Sequence, residues 1–350
     1  MSNSPRASSS RSGPRNQRGG NARSDGPLAP VLLQLVRMDI QRLSRMTLAT
    51  CLAMLACAGH LHAQDKTTTA AVAPPTVDPA AASGTLKRIR DTATLTLGVR
   101  EASVPFSFID SRKQPQGYSV DVCLKVADAI KSELKLARLD VRFLPVSSAN
   151  RIEMVKSGKV DLECGSTTNT RDRQNEVAFA YTTFVAGIKM LARKSSNIAG
   201  VDDLTGKTVV VTKGTTSEKM IREMNDDRML HLTILEAKDH NESFAAVADG
   251  RAVAFPMDDV LLYGLISKAS KPEDFAVVGK YLSVEPYAIM LRKDDPAFER
   301  FVNRTLIELF QNGEIRRAYT RWFATKDLTV PMNQYLKEAF AVPNTYPAWP

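Results

Sequence analysis

A chain of 350 residues that is 43% hydrophobic and 24% charged carries enough apolar material for folded cores and too much for a disordered protein. Its formal net charge of +9 suggests a nucleic-acid partner, yet residues 1–45 hold eight Arg against two Asp, which supplies +6 and leaves +3 for the rest. The basic character belongs to the leader, so no nucleic-acid partner is expected.

In chain order, residues 1–37 come first and are rich in Ser, Gly, Asn and Arg up to Pro27, the composition of disorder. They read as an extension upstream of a true start at Met38. Met38 to Ala63 reads as a secretory signal: Arg42 and Arg45 form a basic region, Met46 to Ala58 is a charge-free apolar run, and Gly59 to Ala63 is a short exit. The apolar run falls short of the roughly 18–20 residues a spanning helix requires, and no other run is long and apolar enough. A soluble periplasmic product is expected. Cys57 after Met54-Leu55-Ala56 is a poor lipoprotein box, and a lipid anchor there is the alternative. Residues 64–84, an Ala, Thr and Pro tract, read as a linker.

From Thr85 onward strands and helices alternate. Thr94–Val99, Val141–Pro145 and Val160–Glu163 read as strands, with helices at Tyr118–Leu134 and Asn150–Lys156. After an extended run at Val185–Ala192 the series repeats, with strands at Thr208–Thr212, Leu232–Leu235 and Ala252–Phe255 and helices from Thr216 and His240. A second extended run, Tyr287–Arg292, precedes helices at Pro296–Gln311 and Glu314–Phe323, and Met332–Phe340 is helical in the tail. The pattern predicts an α/β protein of two lobes with largely parallel sheets, joined by a two-strand hinge with a cleft between them. The expected lobes are 85–187 with 289–350, and 188–288.

Of four cysteines, Cys51 and Cys57 would leave with the signal. Cys123 and Cys164 remain as an even pair in an oxidising compartment. Two separate buried thiols are one reading; a disulfide is the favoured one. Two cysteines without a nearby His give no support for a metal, and no cofactor is expected.

The most informative stretch is Glu163-Cys164-Gly165-Ser166-Thr167-Thr168-Asn169 with Arg173 beyond it. A strand stops at a small-residue turn with three hydroxyls and a guanidinium nearby, which is what a carboxylate needs to be held. The other polar candidates also fall at strand ends, where ligands bind in open α/β sheets: Arg100, Ser148, Arg151, His240 and Asp258. Lys213-Gly214-Thr215-Thr216-Ser217-Glu218 turns a strand into a helix whose N–H groups form an anion seat. Each has a plainer reading. Arg151 could be merely solvated, Arg173 could pair with Asp172 or Glu176, and Thr216 and Ser217 could be simple helix caps. His240 could be a neighbour of a cap at Asp239. Of Asp258 and Asp259 only one can face a cleft, and Asp258 is chosen. Phe106 and Phe108 read as core.

In this order over about 240 residues, Arg100-Glu101-Ala102-Ser103-Val104-Pro105-Phe106-Ser107, Gly117-Tyr118-Ser119, Asn150-Arg151-Ile152, the Glu163–Asn169 stretch, Val210 to Glu218, Ala237-Lys238-Asp239-His240 and Gly250 to Asp259 resemble a known family. It is that of the family 3 periplasmic solute-binding proteins of ABC amino-acid importers, within them the glutamate/aspartate-binding branch. The resemblance implies that Arg173, Ser166, Thr168 and the turn at Thr216 hold an α-carboxylate and that Asp258 takes the α-ammonium. Arg100, Ser148, Arg151 and His240 would surround a side-chain carboxylate. It also implies a monomer delivering glutamate or aspartate to a membrane permease, with the Arg-bearing lobe binding first and the other closing on it. If His240 were protonated, binding would weaken as pH rises through its pKa. Cyclohexadienyl dehydratases resemble the same family, but Glu101 and Glu163, the only nearby candidates for a proton donor, are not matched with a nucleophile, so no catalysis is expected. A ligand-sensing component is the remaining alternative.

Overall fold

The computed structural model describes residues 83–348. The expected extension at 1–37, the signal at 38–63 and nearly all of the linker at 64–84 lie outside the described residues. No helix among the described residues is long and apolar enough to cross a membrane. Gly84, expected as the end of the linker, begins a helix that the sequence reading missed.

That helix, α1 (Gly84–Thr92), buries Thr85, Leu86 and Ile89 on one face and leads into β1 (Thr94–Val99). A small antiparallel meander follows: β2 (Ala102–Ser103), β3 (Ser107–Ile109) and β4 (Pro115–Gln116). Next come α2 (Tyr118–Glu133), β5 (Asp140–Pro145), α3 (Arg151–Lys156), β6 (Leu162–Glu163), α4 (Arg171–Gln174) and β7 (Ala178–Phe179). The run expected at Val185–Ala192 is two strands, β8 (Phe184–Ala186) and β9 (Ile188–Arg193), parted at Gly187. A Cβ on Gly187 would lie 2.8 Å from Ser283 O, so only glycine lets the two crossings pass.

The second series is β10 (Thr208–Thr212), α5 (Thr216–Asp227), β11 (Thr233–Ala237), α6 (His240–Ala248), β12 (Ala254–Asp258), α7 (Asp259–Ile266) and β13 (Phe275–Val278). The expected Tyr287–Arg292 run is again two strands, β14 (Glu285–Tyr287) and β15 (Met290–Leu291). Helices α8 (Pro296–Gln311), α9 (Glu314–Phe323) and α10 (Gln334–Ala341) complete the chain.

The result is two-lobed, each lobe built on one five-stranded sheet, ordered β5-β1-β6-β15-β7 and β11-β10-β12-β9-β13. The sheets are mixed rather than largely parallel. Strands returned by a helix run parallel (β1 with β5 and β6, β10 with β11 and β12). Strands β15 and β9 arrive from the other lobe and therefore run antiparallel to their neighbours. Strand β6 is shorter than expected because the Asp161 carboxylate takes the Thr96 N–H at 2.8 Å, replacing a backbone acceptor.

The crossings β8 and β14 pair antiparallel, so the hinge is a two-stranded ribbon. Phe184 and Tyr287 from this ribbon pack with Phe106, Tyr118 and Phe323, the Phe106 ring lying 4.7 Å from Phe184 and 5.1 Å from Tyr287. Phe106 is core, as expected, and anchors the hinge in the first lobe. Cys123 in α2 and Cys164 after β6 are joined by a disulfide spanning 41 residues. The tail helix stacks Phe340 on Phe310 at 4.9 Å, and the segment beyond it is tied down by Ala348 N–H to Asn169 O (2.7 Å) and by Asn169 Nδ2 to Thr345 O (3.0 Å).

The disulfide fastens the helix under β1 to the turn after β6. Replacing both cysteines by serine should cost about 3–4 kcal/mol, the loop-closure term for a loop of this length, measured as the fall in unfolding free energy in urea.

Candidate functional site

In each sheet the parallel strands end on the same side, and those ends face each other across the cleft. From the first lobe come Arg100 after β1, Ser148 and Arg151 after β5, and Ser166 and Thr168 after β6. From the second come Thr215 and Thr216 after β10, His240 after β11, and Asp258 at the end of β12. Together with Met257 and Leu261 they line one small cavity. Eight of the nine expected residues are therefore brought together. A larger groove between α2 and α9 is lined by exposed or half-exposed charges such as Lys125, Asp128 and Arg321, and has none of this convergence.

Arg173 is not among the lining residues. Neither Asp172 nor Glu176 pairs with it; those carboxylates bind Lys219 and Lys156 instead. Its guanidinium donates to Thr168 O at 2.8 Å and across the cleft to Gly214 O at 3.2 Å. It thus clamps the lobes behind the turn.

Arg100 and Arg151 are fully buried. Arg100 Nη2 donates to Ser148 Oγ at 2.8 Å, and Arg151 Nη1 donates to Thr167 Oγ1 at 2.5 Å. Burial, then repulsion from Arg151, lowers Arg100 to about 9, so it is still charged at neutral pH. Arg100 Nη1, Arg151 Nε and Ser166 Oγ have no protein partner. On the second lobe, Asp258 Oδ2 accepts from Tyr287 OH at 2.5 Å while Oδ1 is unpartnered. Burial, then the Glu285 charge, pushes the Asp258 carboxyl well above the usual range. Asp259 turns the other way, to Gly187 N–H and Tyr281 OH at the hinge.

His240 is the first residue of α6; Asp239 is the cap, accepting from Glu242 N–H at 2.9 Å. The imidazole Nδ1 lies 2.9 Å from Thr212 Oγ1, which also meets Ser243 Oγ. Burial, then Arg100 and Arg151, hold its pKa well below the usual value. His240 is accordingly neutral, and the expected weakening of binding as pH rises through its titration loses its basis. The cap of α5 is Thr215, which accepts from Glu218 N–H, not Thr216 or Ser217. Thr216 instead donates to Glu285 Oε2 at 2.9 Å on the hinge strand.

The sequence reading missed Thr215, Met257 and Leu261 in the lining and the supporting Tyr287 and Glu285, and noted Thr167 only as one of the turn hydroxyls and Glu163 only as an unmatched acid. Thr215 and Thr167 adjoin residues that were chosen, so neighbourhood was the available signal. Tyr287 and Glu285 sit on a crossing strand with no motif to mark them.

The lobes meet at Gly214, whose φ is +80°. A Cβ there would fall 2.7 Å from Ala149 Cα and Ser148 O, and Lys219 pairs with Asp172 nearby at 2.7 Å.

A two-lobed cleft with cationic groups on one wall and a carboxyl on the other belongs to a ligand-capturing protein, and comparison identifies the class. The profile of the bacterial extracellular solute-binding proteins, family 3, matches residues 95–325, and the chain belongs to that family. It is 46% identical over 268 residues to the L-glutamate/L-aspartate-binding protein of Pseudomonas aeruginosa, covering 75% of this chain and 89% of that one. It is 39% identical over 270 residues to the glutamate/aspartate import solute-binding protein of Escherichia coli, with the same coverage. Among solved structures, the cysteine-binding protein of Campylobacter jejuni is similar at TM-score 0.61 and 25% identity, over 73% of this chain and 98% of that one. An ancestral amino-acid-binding protein, a precursor of cyclohexadienyl dehydratase, is similar at TM-score 0.60 and 27% identity, over 69% of this chain and all of that one. The named relatives are binding proteins rather than enzymes.

Gly214→Ala should keep the lobes from meeting. X-ray scattering should then give a larger radius of gyration than the parent; an unchanged radius would mean that closure does not depend on this contact.

Proposed function

We propose that this chain captures glutamate or aspartate in the periplasm and delivers it to the permease of an ABC importer. The observation that carries the reading is the set of unpartnered buried atoms at one cavity: Arg100 Nη1, Arg151 Nε and Ser166 Oγ as donors, and Asp258 Oδ1 as acceptor. Donors on one wall and an acceptor on the other complement an α-amino acid, and two buried guanidiniums call for a second carboxylate. A cationic side chain would be repelled and a neutral one would leave charge unbalanced.

In this reading Ser166, Thr168 and Thr216 hold the α-carboxylate, with Arg173 fixing the Thr168 carbonyl behind them. Asp258 takes the α-ammonium, and Arg100, Ser148, Arg151 and His240 surround the side chain. The lobes are 85–187 with 289–350, and 188–288, a division supported by the sheet memberships. The names of the relatives support the ligand class and the importer role. Export rests on the Met38–Ala63 signal, and a monomer suffices because both walls come from one chain.

Calorimetric titration of purified protein, stripped of ligand by refolding, against a panel of amino acids tests the reading. Tight binding confined to glutamate and aspartate is expected. Arg100→Ala should weaken it by about 2–5 kcal/mol, the cost of unpairing a buried charge. Binding of neutral or cationic amino acids instead would remove the side-chain assignment while leaving the fold.

The pH dependence has a definite sign. Below its raised pKa the Asp258 carboxyl carries a proton, which the ligand ammonium must displace. Binding should therefore release a proton and weaken as pH falls. Titrations in buffers of different ionisation enthalpy should show that release, and Asp258→Asn should abolish it.

A further inference from the structure

Glu163 is fully buried at the end of β6 and is not among the residues lining the cavity. Its Oε2 accepts from Thr167 Oγ1 at 2.8 Å, and Thr167 Oγ1 accepts from Arg151 Nη1. A guanidinium can only donate, so the single hydroxyl proton of Thr167 must point to Glu163. The chain Arg151 to Thr167 to Glu163 has one polarity, and Oε2 ends it as an acceptor. The other oxygen, Oε1, has no partner. It faces Gly165, where a Cβ would fall 2.2 Å from Glu163 Oε1 and 2.9 Å from Arg100 Cγ. The carboxyl thus meets the stem of one arginine across a glycine and grips the other through a hydroxyl.

A buried carboxyl with an unpartnered oxygen is costly unless a charge nearby requires it. Here that charge is the arginine pair, whose lowered pKa values Glu163 opposes in both cases. Two guanidiniums against one carboxylate leave one positive charge, the complement of a single side-chain carboxylate.

We infer that Glu163 is a positioning residue that serves as a resident counter-ion to Arg100 and Arg151. It competes with the ligand's side-chain carboxylate, and so sets how tightly an acidic amino acid binds and how strongly it is preferred over its amide. The inference rests on the reading of the cavity given above. It assigns Glu163 a cost in affinity: the residue keeps the arginines tolerable when no anion is bound, and repels the anion that arrives.

Glu163→Gln tests this, because the glutamine oxygen can still accept from Thr167 while the charge is gone. Glutamate and glutamine are titrated calorimetrically into the parent, Glu163→Gln and Glu163→Asp, and each protein is melted with and without glutamate. Glu163→Gln should bind glutamate about tenfold more tightly, the size of one moderately screened charge, with a wider glutamate-to-glutamine ratio and a lower ligand-free Tm. Glu163→Asp, which keeps the charge, should retain the parent ratio. A Glu163→Gln protein that folds only when glutamate is present also supports the inference, since it lacks its counter-ion only when unliganded. Unchanged or weaker glutamate binding by folded Glu163→Gln, or failure to fold even with glutamate, would overturn it and leave Glu163 a purely structural residue. A parent protein that binds neither acidic amino acid would instead overturn the proposed function, before any variant is compared.

Discussion

Two buried guanidiniums at the end of two neighbouring parallel strands are the constraint to which the rest of this structure answers. Arg100 and Arg151 have left water, and a charge in a low-dielectric interior is tolerated only when hydrogen-bonded and balanced. Ser148 and Thr167 supply protein acceptors, and Glu163 supplies a charge of opposite sign. The remaining donor capacity faces the cavity. A site of this kind discriminates by charge before it discriminates by shape, because a ligand that fails to balance it leaves an uncompensated ion buried.

Burial acts in opposite directions on the two titratable groups of the second lobe. It keeps His240 neutral, since an imidazolium there would join two guanidiniums, and it raises the Asp258 carboxyl, which has Tyr287 and the Glu285 charge near it. The second lobe therefore brings little positive charge of its own. It offers hydroxyls, a neutral ring and one acceptor, so the division of labour is between a cationic wall that attracts and an acceptor wall that orients.

The mechanics follow from where the aromatic core lies. Phe184 and Tyr287, one from each crossing strand, are packed among Phe106, Tyr118 and Phe323. The hinge ribbon thus has a fixed end in the first lobe, and the second lobe is held across the cleft by Arg173 to Gly214 and Lys219 to Asp172. These contacts are polar and exposed or half-exposed, the kind that can be exchanged for water at small cost. The tail reinforces the fixed side: Asn169, next to the hydroxyl turn, is bonded to Pro286 O on the hinge and to Thr345 and Ala348 in the final segment.

The sequence by itself determined which residues stand at strand ends. β-branched and apolar runs such as Thr208–Thr212 fix a strand locally, and the polar residues just beyond its end then fall at a sheet edge whatever the topology. That local logic was enough to find Arg100, Ser148, Arg151, Ser166, Thr168, Thr216, His240 and Asp258, and to mark Phe106 as core. The tertiary structure alone decided the rest. Strand direction depended on the crossings, so β9 and β15 run against their neighbours and the sheets are mixed. Asp258 faces the cavity and Asp259 the hinge because the turn between strand and helix rotates successive side chains apart. Arg173 reaches a carbonyl of the opposite lobe, and Glu163 finds an arginine through Thr167. These contacts join residues on separate elements, and the charges they balance come together only when the chain is folded.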